Sequence, residues 1–321
     1  MKMLITGGAG FVGSHLCDRF TRAGHQVVCL DNFESGDLNN IRQLLDCRNF
    51  KLVKGDIRDT PLLDRAMRDV EAVFHLAAQV HVDRSYFEPR LTYDVNVMGT
   101  LNVLEVAREN DVRTVVHAST SEVYGSALYA PIDERHPLNA LHPYGASKVG
   151  ADRLCYSYRH TFGMDIRVLR PFNIFGPRQR AYGYGGVISI FARRVLSNQP
   201  PIVYGDGRQT RDYTYVADVV DGYEKMLSLA QAPAEPVNLG TGVEIPIVDL
   251  ARAIIKAAGK EDQLAPVHVE PRVAEVGRLI ASAKCANEVL GWKPQYDLAR
   301  GLTTFVEWFR NFGFEERVRG G

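Results

Sequence analysis

Tyr144-Gly-Ala-Ser-Lys148 sets a phenol and an ammonium four residues apart. On a helix that spacing puts both side chains on one face, about a turn from each other. A phenol beside a fixed cation can act as a base. Its ordinary pKa of about 10 must come down toward neutrality, which takes roughly 4 kcal/mol. A full charge ~4 Å away at an effective dielectric of ~20 supplies about that much. Burial works the other way and raises the phenol, so a second positive charge would help. The same five residues also fit a half-buried tyrosine over a surface lysine, because short motifs recur by chance.

Such a pair needs a scaffold, and the chain alternates strand and helix from its first residues. Lys2 to Thr6 reads as a short apolar strand. It runs into Gly7-Gly8-Ala9-Gly10-Phe11-Val12-Gly13 and then an amphipathic helix with Leu16, Phe20 and Ala23 on its face. Strand, glycine turn, helix is the context of a phosphate-binding βα unit. Gly7 permits the tight turn, Gly10 lets backbone approach a pyrophosphate, and Gly13 packs the helix close to the strand. The helix N-terminus offers free N–H groups and a partial positive charge. The next strand, Gln26 to Leu30, ends in Asp31, 18 positions past Gly13. There an acid would hydrogen-bond an adenosine ribose diol. Asn32 comes next, with no arginine to receive a 2′-phosphate, so the spacing favours NAD over NADP. An oxidised nicotinamide ring would also be the second positive charge near Tyr144.

The alternation continues through Lys51–Lys54, which ends at Gly55-Asp56-Ile57 with Asp56 placed to meet an adenine. The strand Ala72–Leu76 opens into Ala77-Ala78-Gln79, small residues over which a cofactor can lie. Arg90 to Asn110 reads as one long helix whose apolar side is broad, a hint of packing on the sheet and on a second subunit. Asn96 within it also fits an ordinary buried polar group. Thr114–Ala118 ends in Ser119-Thr120-Ser121-Glu122, hydroxyls at a strand end where open α/β sheets bind ligands. The helix of Tyr144 runs to about Phe162, and the next strand is Ile166–Arg170. Six strands alternating with helices predict a parallel, doubly wound sheet with right-handed crossovers.

After Pro171 the texture changes. Asn173 to Gly186 is a Gly-, Pro-, Arg- and Tyr-rich loop of the length that is usually functional. Helices are predicted at Val187–Ser197, Val248–Ala258 and Leu298–Phe312, with Val237–Leu239 a strand of a smaller mixed α/β lobe. Tyr215–Leu229 reads as a helix returning to the first domain. The expected division is 1–172, with 215–235 returning to it, and 173–321.

Composition narrows the class. Lys+Arg and Asp+Glu balance at 38 each over 321 residues, so no global field recruits nucleic acid or an anionic membrane. The five cysteines are scattered without Cys-x-x-Cys spacing, which points away from disulfides and metal and toward a reducing cytoplasm. No apolar run approaches ~18 residues, and Met1-Lys2 passes straight into a strand, leaving no room for a signal peptide.

Thr-Gly-Gly-Ala-Gly-Phe-Val-Gly (6–13), Asp31, Thr120, and Tyr144 with Lys148 together resemble the extended short-chain dehydrogenase/reductase family. The branch is that of the nucleotide-sugar epimerases and dehydratases. Gly-Asp-Gly (205–207), Thr-Arg-Asp-Tyr (210–213) and Gly-Trp-Lys-Pro (291–294) are similar to its substrate lobe, so the resemblance covers nearly the whole chain. It implies NAD held by Gly7, Gly10, Phe11, Val12, Asp31, Asn32, Ser35, Gly36, Asp56, Ile57, Leu76, Ala77, Ala78 and Asn96. Tyr144 would be the base for a sugar hydroxyl, Thr120 would hydrogen-bond that hydroxyl, and Lys148 would hold the nicotinamide ribose and lower the tyrosine. Asn173, Arg211 and Arg272 would grip the nucleotide diphosphate, a UDP-sugar first among them, and a homodimer is implied.

The fate of the ketone formed at the sugar's C4 separates the reactions. An epimerase returns hydride to the other face of the ketone and needs no further acid. A 4,6-dehydratase needs an acid pair after the threonine, and here the pair reads Ser121-Glu122. A UDP-glucuronate decarboxylase also resembles Thr-Ser-Glu-Val-Tyr-Gly (120–125), and would need a cation for the carboxylate from Arg84, Arg178, Arg180 or Arg278. The loop before Tyr144 and its Gly-Ala-Ser spacer are more similar to 4-epimerases of the UDP-glucose type. Glu122 is the ambiguous residue, catalytic or merely orienting its loop. A non-catalytic dinucleotide sensor on the same scaffold would be expected to break the Tyr/Lys pair, which is intact.

Overall fold

The computed structural model describes residues 1–180, 186–271 and 277–313. Among them, the main sheet has seven parallel strands: β1 (Lys2–Thr6), β2 (Gln26–Asp31), β3 (Phe50–Lys54), β4 (Ala72–His75), β5 (Thr114–Ala118), β6 (Ile166–Pro171) and Val237–Leu239. The last lies at one edge, and β6, β5, β4, β1, β2 and β3 succeed it in space. This is the doubly wound sheet that the alternation predicts. The winding reverses at β1, where a crevice opens beyond the strand ends.

A sheet covered on both faces needs strands that are apolar on both. Met3 and Ile5 of β1 enter one core with Val27, Cys29 and Phe74, while Leu4 enters the other with Val28, Val73 and Val115. Helix α1 (Phe11–Arg22) seals the first core with Leu16 and Phe20, and α2 (Thr60–Met67) seals the second with Leu63 and Met67.

Two expectations change here. The sequence predicts six strands and leaves Val237–Leu239 to the smaller lobe. Instead Val237 pairs with Leu169 of β6, and all three residues are buried. Three residues carry no readable period, and the open edge of β6 is what recruits them. The long helix expected over Arg90–Asn110 is, after α3 (Val82–Phe87), a succession of α4 (Pro89–Tyr93), a π-helical turn (Asp94–Met98) and α5 (Gly99–Glu109). At that wide turn buried Asn96 accepts from Gln79 N–H at 2.7 Å and donates to Gln79 O and Ser147 Oγ, each at 2.9 Å. These tertiary bonds accompany the widened turn, a feature that often marks functional surroundings.

Helix α6 (Pro143–Phe162) carries Tyr144. Beyond β6 come α7 (Val187–Leu196) and α8 (Val216–Ser228), the latter packed against α1, β5 and β6. The chain closes with α9 (Ile247–Ala257), α10 (Lys284–Leu290) and α11 (Leu298–Trp308), accompanied by short two- and three-residue strands. Fully buried Asp212 ties these strands together. It accepts from the N–H groups of Thr241 at 2.9 Å, Gly242 at 2.9 Å and Ala281 at 3.2 Å. Among the described residues no helix is long and apolar enough to cross a membrane.

Candidate active site

A cavity of about 400 Å³ opens at the C-terminal ends of β1 to β6. Its floor is the glycine turn. Gly7 has φ of +71°, and a Cβ there would lie 2.8 Å from Ala77 N. A Cβ on Gly13 would lie 2.1 Å from Gly7 O, so only glycine lets α1 start this close to β1. No side chain caps α1 at Gly10, which leaves first-turn N–H groups for an external anion. Asp31 is buried and accepts from Ala9 N–H at 2.9 Å and Phe33 N–H at 2.8 Å. Burial pushes its carboxyl up, and those bonds together with the charge of Arg180 oppose the rise. Asp56 accepts from Asn32 Nδ2 at 2.9 Å, and hydrogen bonds from Arg58 bring its carboxyl down to about 2. A buried carboxylate at the end of β2, a bare helix terminus and a turn with no room for side chains fit an adenine dinucleotide.

The other wall belongs to α6. His142 is its N-cap, accepting from Gly145 N–H at 3.0 Å. Tyr144, Lys148 and Asp152 stand at every fourth position, on one face, and all are buried. Burial drives the Tyr144 phenol well above its ordinary value; a hydrogen bond with Thr120 opposes this, and the charges of Glu122 and Asp152 add to it. Lys148 stands one turn along α6 from the phenol. Its Nζ donates to Ala118 O at 2.6 Å and lies 3.4 Å from His117 Nε2. Burial brings the ammonium itself down to about 8, with Asp152 opposing. For each of the two groups desolvation is the largest cause of its shift.

Behind Lys148 a buried polar chain crosses the sheet. His117 Nε2 is 3.8 Å from Asp152 Oδ1, and Asp152 Oδ2 accepts from Arg170 Nε at 3.0 Å and Nη2 at 2.8 Å. Arg170 donates to the Tyr124 hydroxyl at 3.0 Å, which donates to Asn238 Oδ1 at 2.7 Å. Asn238 sits on the edge strand, so that strand helps anchor the site.

Of the described residues assigned by resemblance, all line this cavity except Gly36, Asn96 and Arg211. Gly36 sits directly behind Asp31, where a Cβ would be 2.5 Å from Oδ1. Asn96 is committed to Gln79 and Ser147, and Arg211 stands on the strand Thr210–Arg211. Arg272 lies outside the described residues. The carboxylate-binding candidates are mostly spoken for: Arg84 pairs with Glu34 and Glu88, Arg178 with Asp18, and Arg278 with Glu244. Arg180 lines the cavity with Nη2 3.4 Å from Gly36 O, close enough for its field to reach Asp31. Local sequence around Asp31 shows no arginine, because this one arrives from the loop after β6. Sequence reasoning also missed Asp152, His117, Arg170 and His142. Helical periodicity from Tyr144 through Lys148 points to Asp152; His142 has only its place before Pro143.

Residues 4–305 match the family described as GDP-mannose 4,6 dehydratase. A UDP-glucose 4-epimerase of Mycolicibacterium smegmatis is 40% identical over 316 residues, covering 97% of this chain and 99% of that protein. A UDP-glucuronic acid decarboxylase 1 of Xenopus tropicalis is 34% identical, covering 96% of this chain and 72% of that protein. Among solved structures, a dTDP-glucose 4,6-dehydratase from Streptomyces venezuelae with NAD and TYD bound superposes with TM-score 0.90 at 32% identity, covering 97% and 98% of the two chains. With its doubly wound sheet and glycine turn, the chain belongs to this GDP-mannose 4,6-dehydratase family of extended short-chain dehydrogenases/reductases, and is an NAD-dependent nucleotide-sugar enzyme.

Proposed function

We propose that the chain is a 4-epimerase of the UDP-glucose/UDP-galactose type that works through a 4-keto sugar. The carrying observation is that Tyr144 and Thr120 meet at the cavity while the residue ahead of Glu122 is Ser121, which is buried and not an acid. Tyr144 takes the proton of the C4 hydroxyl, with Thr120 orienting that hydroxyl. When bound, NAD supplies the hydride acceptor, the returning hydride and, in its oxidised form, a positive charge beside the phenol. Lys148, anchored on Ala118 O and beside His117 Nε2, keeps an N–H donor for the ribose next to the reacting ring. The ketone then presents its other face, and Tyr144 gives the proton back.

Loss of water at C6 would need a proton donor beside the base, and Ser121 is a poor one. Decarboxylation would need a cation for the sugar carboxylate, and three of the four candidate arginines already face chain carboxylates. Both points support epimerisation. We assign the cofactor to residues 1–172 with 215–235 and the edge strand Val237–Leu239, and the nucleotide sugar to the remainder of 173–321, with Asn173, Arg211 and Arg272 toward the diphosphate. Five free cysteines support a cytoplasmic setting. Exposed Tyr93, Met98, Tyr156 and Phe162 on α4, the π turn and α6 support a homodimer through these helices.

Incubation with UDP-glucose or UDP-galactose, with NMR of the products, is expected to yield the C4 epimer without net NADH. In parallel Tyr144→Phe is expected to lose about 10²- to 10⁴-fold in kcat with NAD still bound. Steady CO₂ release from UDP-glucuronate would overturn the epimerase reading, and a near wild-type rate in Tyr144→Phe would overturn the base.

A further inference from the structure

His142 touches two groups of the site, and neither the Tyr/Lys pair nor the glycine turn gives it a part. Its Nδ1 accepts the Gly145 N–H at 3.0 Å. A ring nitrogen that accepts carries no proton, so the proton of the neutral imidazole sits on Nε2. Nε2 lies 3.1 Å from Glu122 Oε2 and therefore donates to that carboxylate. The ring also stacks on Tyr144, 7° from parallel with centroids 5.9 Å apart. Glu122 lines the cavity and His142 does not, so the imidazole backs the carboxylate from behind.

We propose that His142 is a positioning residue that holds Glu122 against the sugar-facing wall beside Tyr144, occupying one carboxylate oxygen and leaving the other to the substrate. Two further contacts support so close an arrangement. Glu122 N–H donates to Thr120 Oγ1 at 3.2 Å, so the same short segment is tied to the hydroxyl that bonds Tyr144. Gly145 has no side chain where a Cβ would lie 2.8 Å from Glu122 O and 3.3 Å from the His142 ring, which lets α6 press onto this turn. Glutamate alone has three rotatable bonds, and an unanchored carboxylate would sample many positions. The link from Nε2 selects one of them. It deepens the proposed function by giving Glu122 a fixed place, and rests on that reading only for the identity of the sugar.

The substitution His142→Asn separates this role from capping. Asparagine caps a helix as well as any residue, but its short side chain cannot both cap Gly145 and reach Glu122. Single-turnover reduction of bound NAD by a UDP-hexose is measured in wild type, His142→Asn, Glu122→Ala and the double variant. His142→Asn is expected to fold and bind NAD normally and to slow the hydride step by about tenfold to a hundredfold, the scale of a misplaced group. In the Glu122→Ala background the further loss is expected to be under about threefold, because coupled residues are not additive. Wild-type rates in His142→Asn, or equal losses in both backgrounds, would overturn the proposal. A substrate-free arm keeps it distinct from the choice of sugar. ¹⁵N NMR of the histidine ring is expected to show protonated Nε2 and bare Nδ1, with the Nε2 signal shifting in Glu122→Ala. A protonated Nδ1, or an Nε2 signal indifferent to Glu122→Ala, would overturn the proposal even if no UDP-hexose reacts; the expected spectrum with inert UDP-hexoses would sink only the proposed substrate.

Discussion

Tyr144 and Lys148 enter the folded protein shifted in opposite directions by one cause. Loss of water raises the phenol and brings the ammonium down to about 8 from its ordinary 10.5. Lys148 therefore loses its charge inside an accessible range, and with it the ribose-holding role proposed for it. We expect kcat/KM to fall as pH rises through about 8. Stability runs the other way for this group. Between about 8 and 10.5 the unfolded chain binds a proton that the folded chain has released, so the Lys148 contribution grows with pH across that window. A pH–rate profile measured beside thermal unfolding at the same pH values separates the two. An alkaline limb that tracks loss of the fold would remove Lys148 as its source. The motif Tyr-Gly-Ala-Ser-Lys was legible as chemistry because helical spacing is local. The direction of the shifts was not, because burial is set by β5 and β6 packing against α6.

At the scale of elements, the β1 turn and α1 are the part most strictly dictated by residue type. A methyl group at Gly13 would meet a backbone oxygen at 2.1 Å, and no rotamer change relieves a clash with main chain. Gly13→Ala is expected to displace α1 from the sheet, to abolish copurification of NAD, and to cost about 1–3 kcal/mol as overpacking does. Urea unfolding and the absorbance of bound cofactor check it, and full NAD content at wild-type stability would contradict the close approach. Glycine spacing announced this unit because the constraint lies within one turn of chain. The break of Arg90–Asn110 at Asp94–Met98 was silent, since its apolar pattern suits a regular helix and Asn96 finds its partners in Gln79 and Ser147 only after folding. Val237–Leu239 joins the main sheet rather than the smaller lobe for a similar reason. Asn238 looks like a loop residue until the Tyr124 hydroxyl and Ile132 O satisfy it at 2.7 and 3.2 Å.

For the whole molecule, α4 packs on α6, and Tyr93 of α4, Met98 of the π turn, and Tyr156 and Phe162 of α6 are exposed. Exposed apolar side chains of this kind are what a second copy would cover. Light scattering is expected to give a dimer, and Met98→Glu is expected to weaken it at least about tenfold by placing an unpaired charge in the contact. A wild-type monomer at all concentrations would remove the assignment.

By itself the sequence determined the doubly wound class, the glycine turn, the acid Asp31 at the end of β2 and the Tyr144/Lys148 pair. Each is written in spacings of one strand, one turn or one helix, where geometry comes from the backbone period. Tertiary structure decided the rest. It brought Arg180 to the Asp31 end of the cavity, committed Arg84 and Arg178 to carboxylates, and joined Asp152 to Arg170 through the core. It also set His142 behind Glu122. These pairings are not written in any local period, because parallel strands meet only through long crossovers. Partners far apart in the chain, once buried, must satisfy one another's charge and hydrogen bonds.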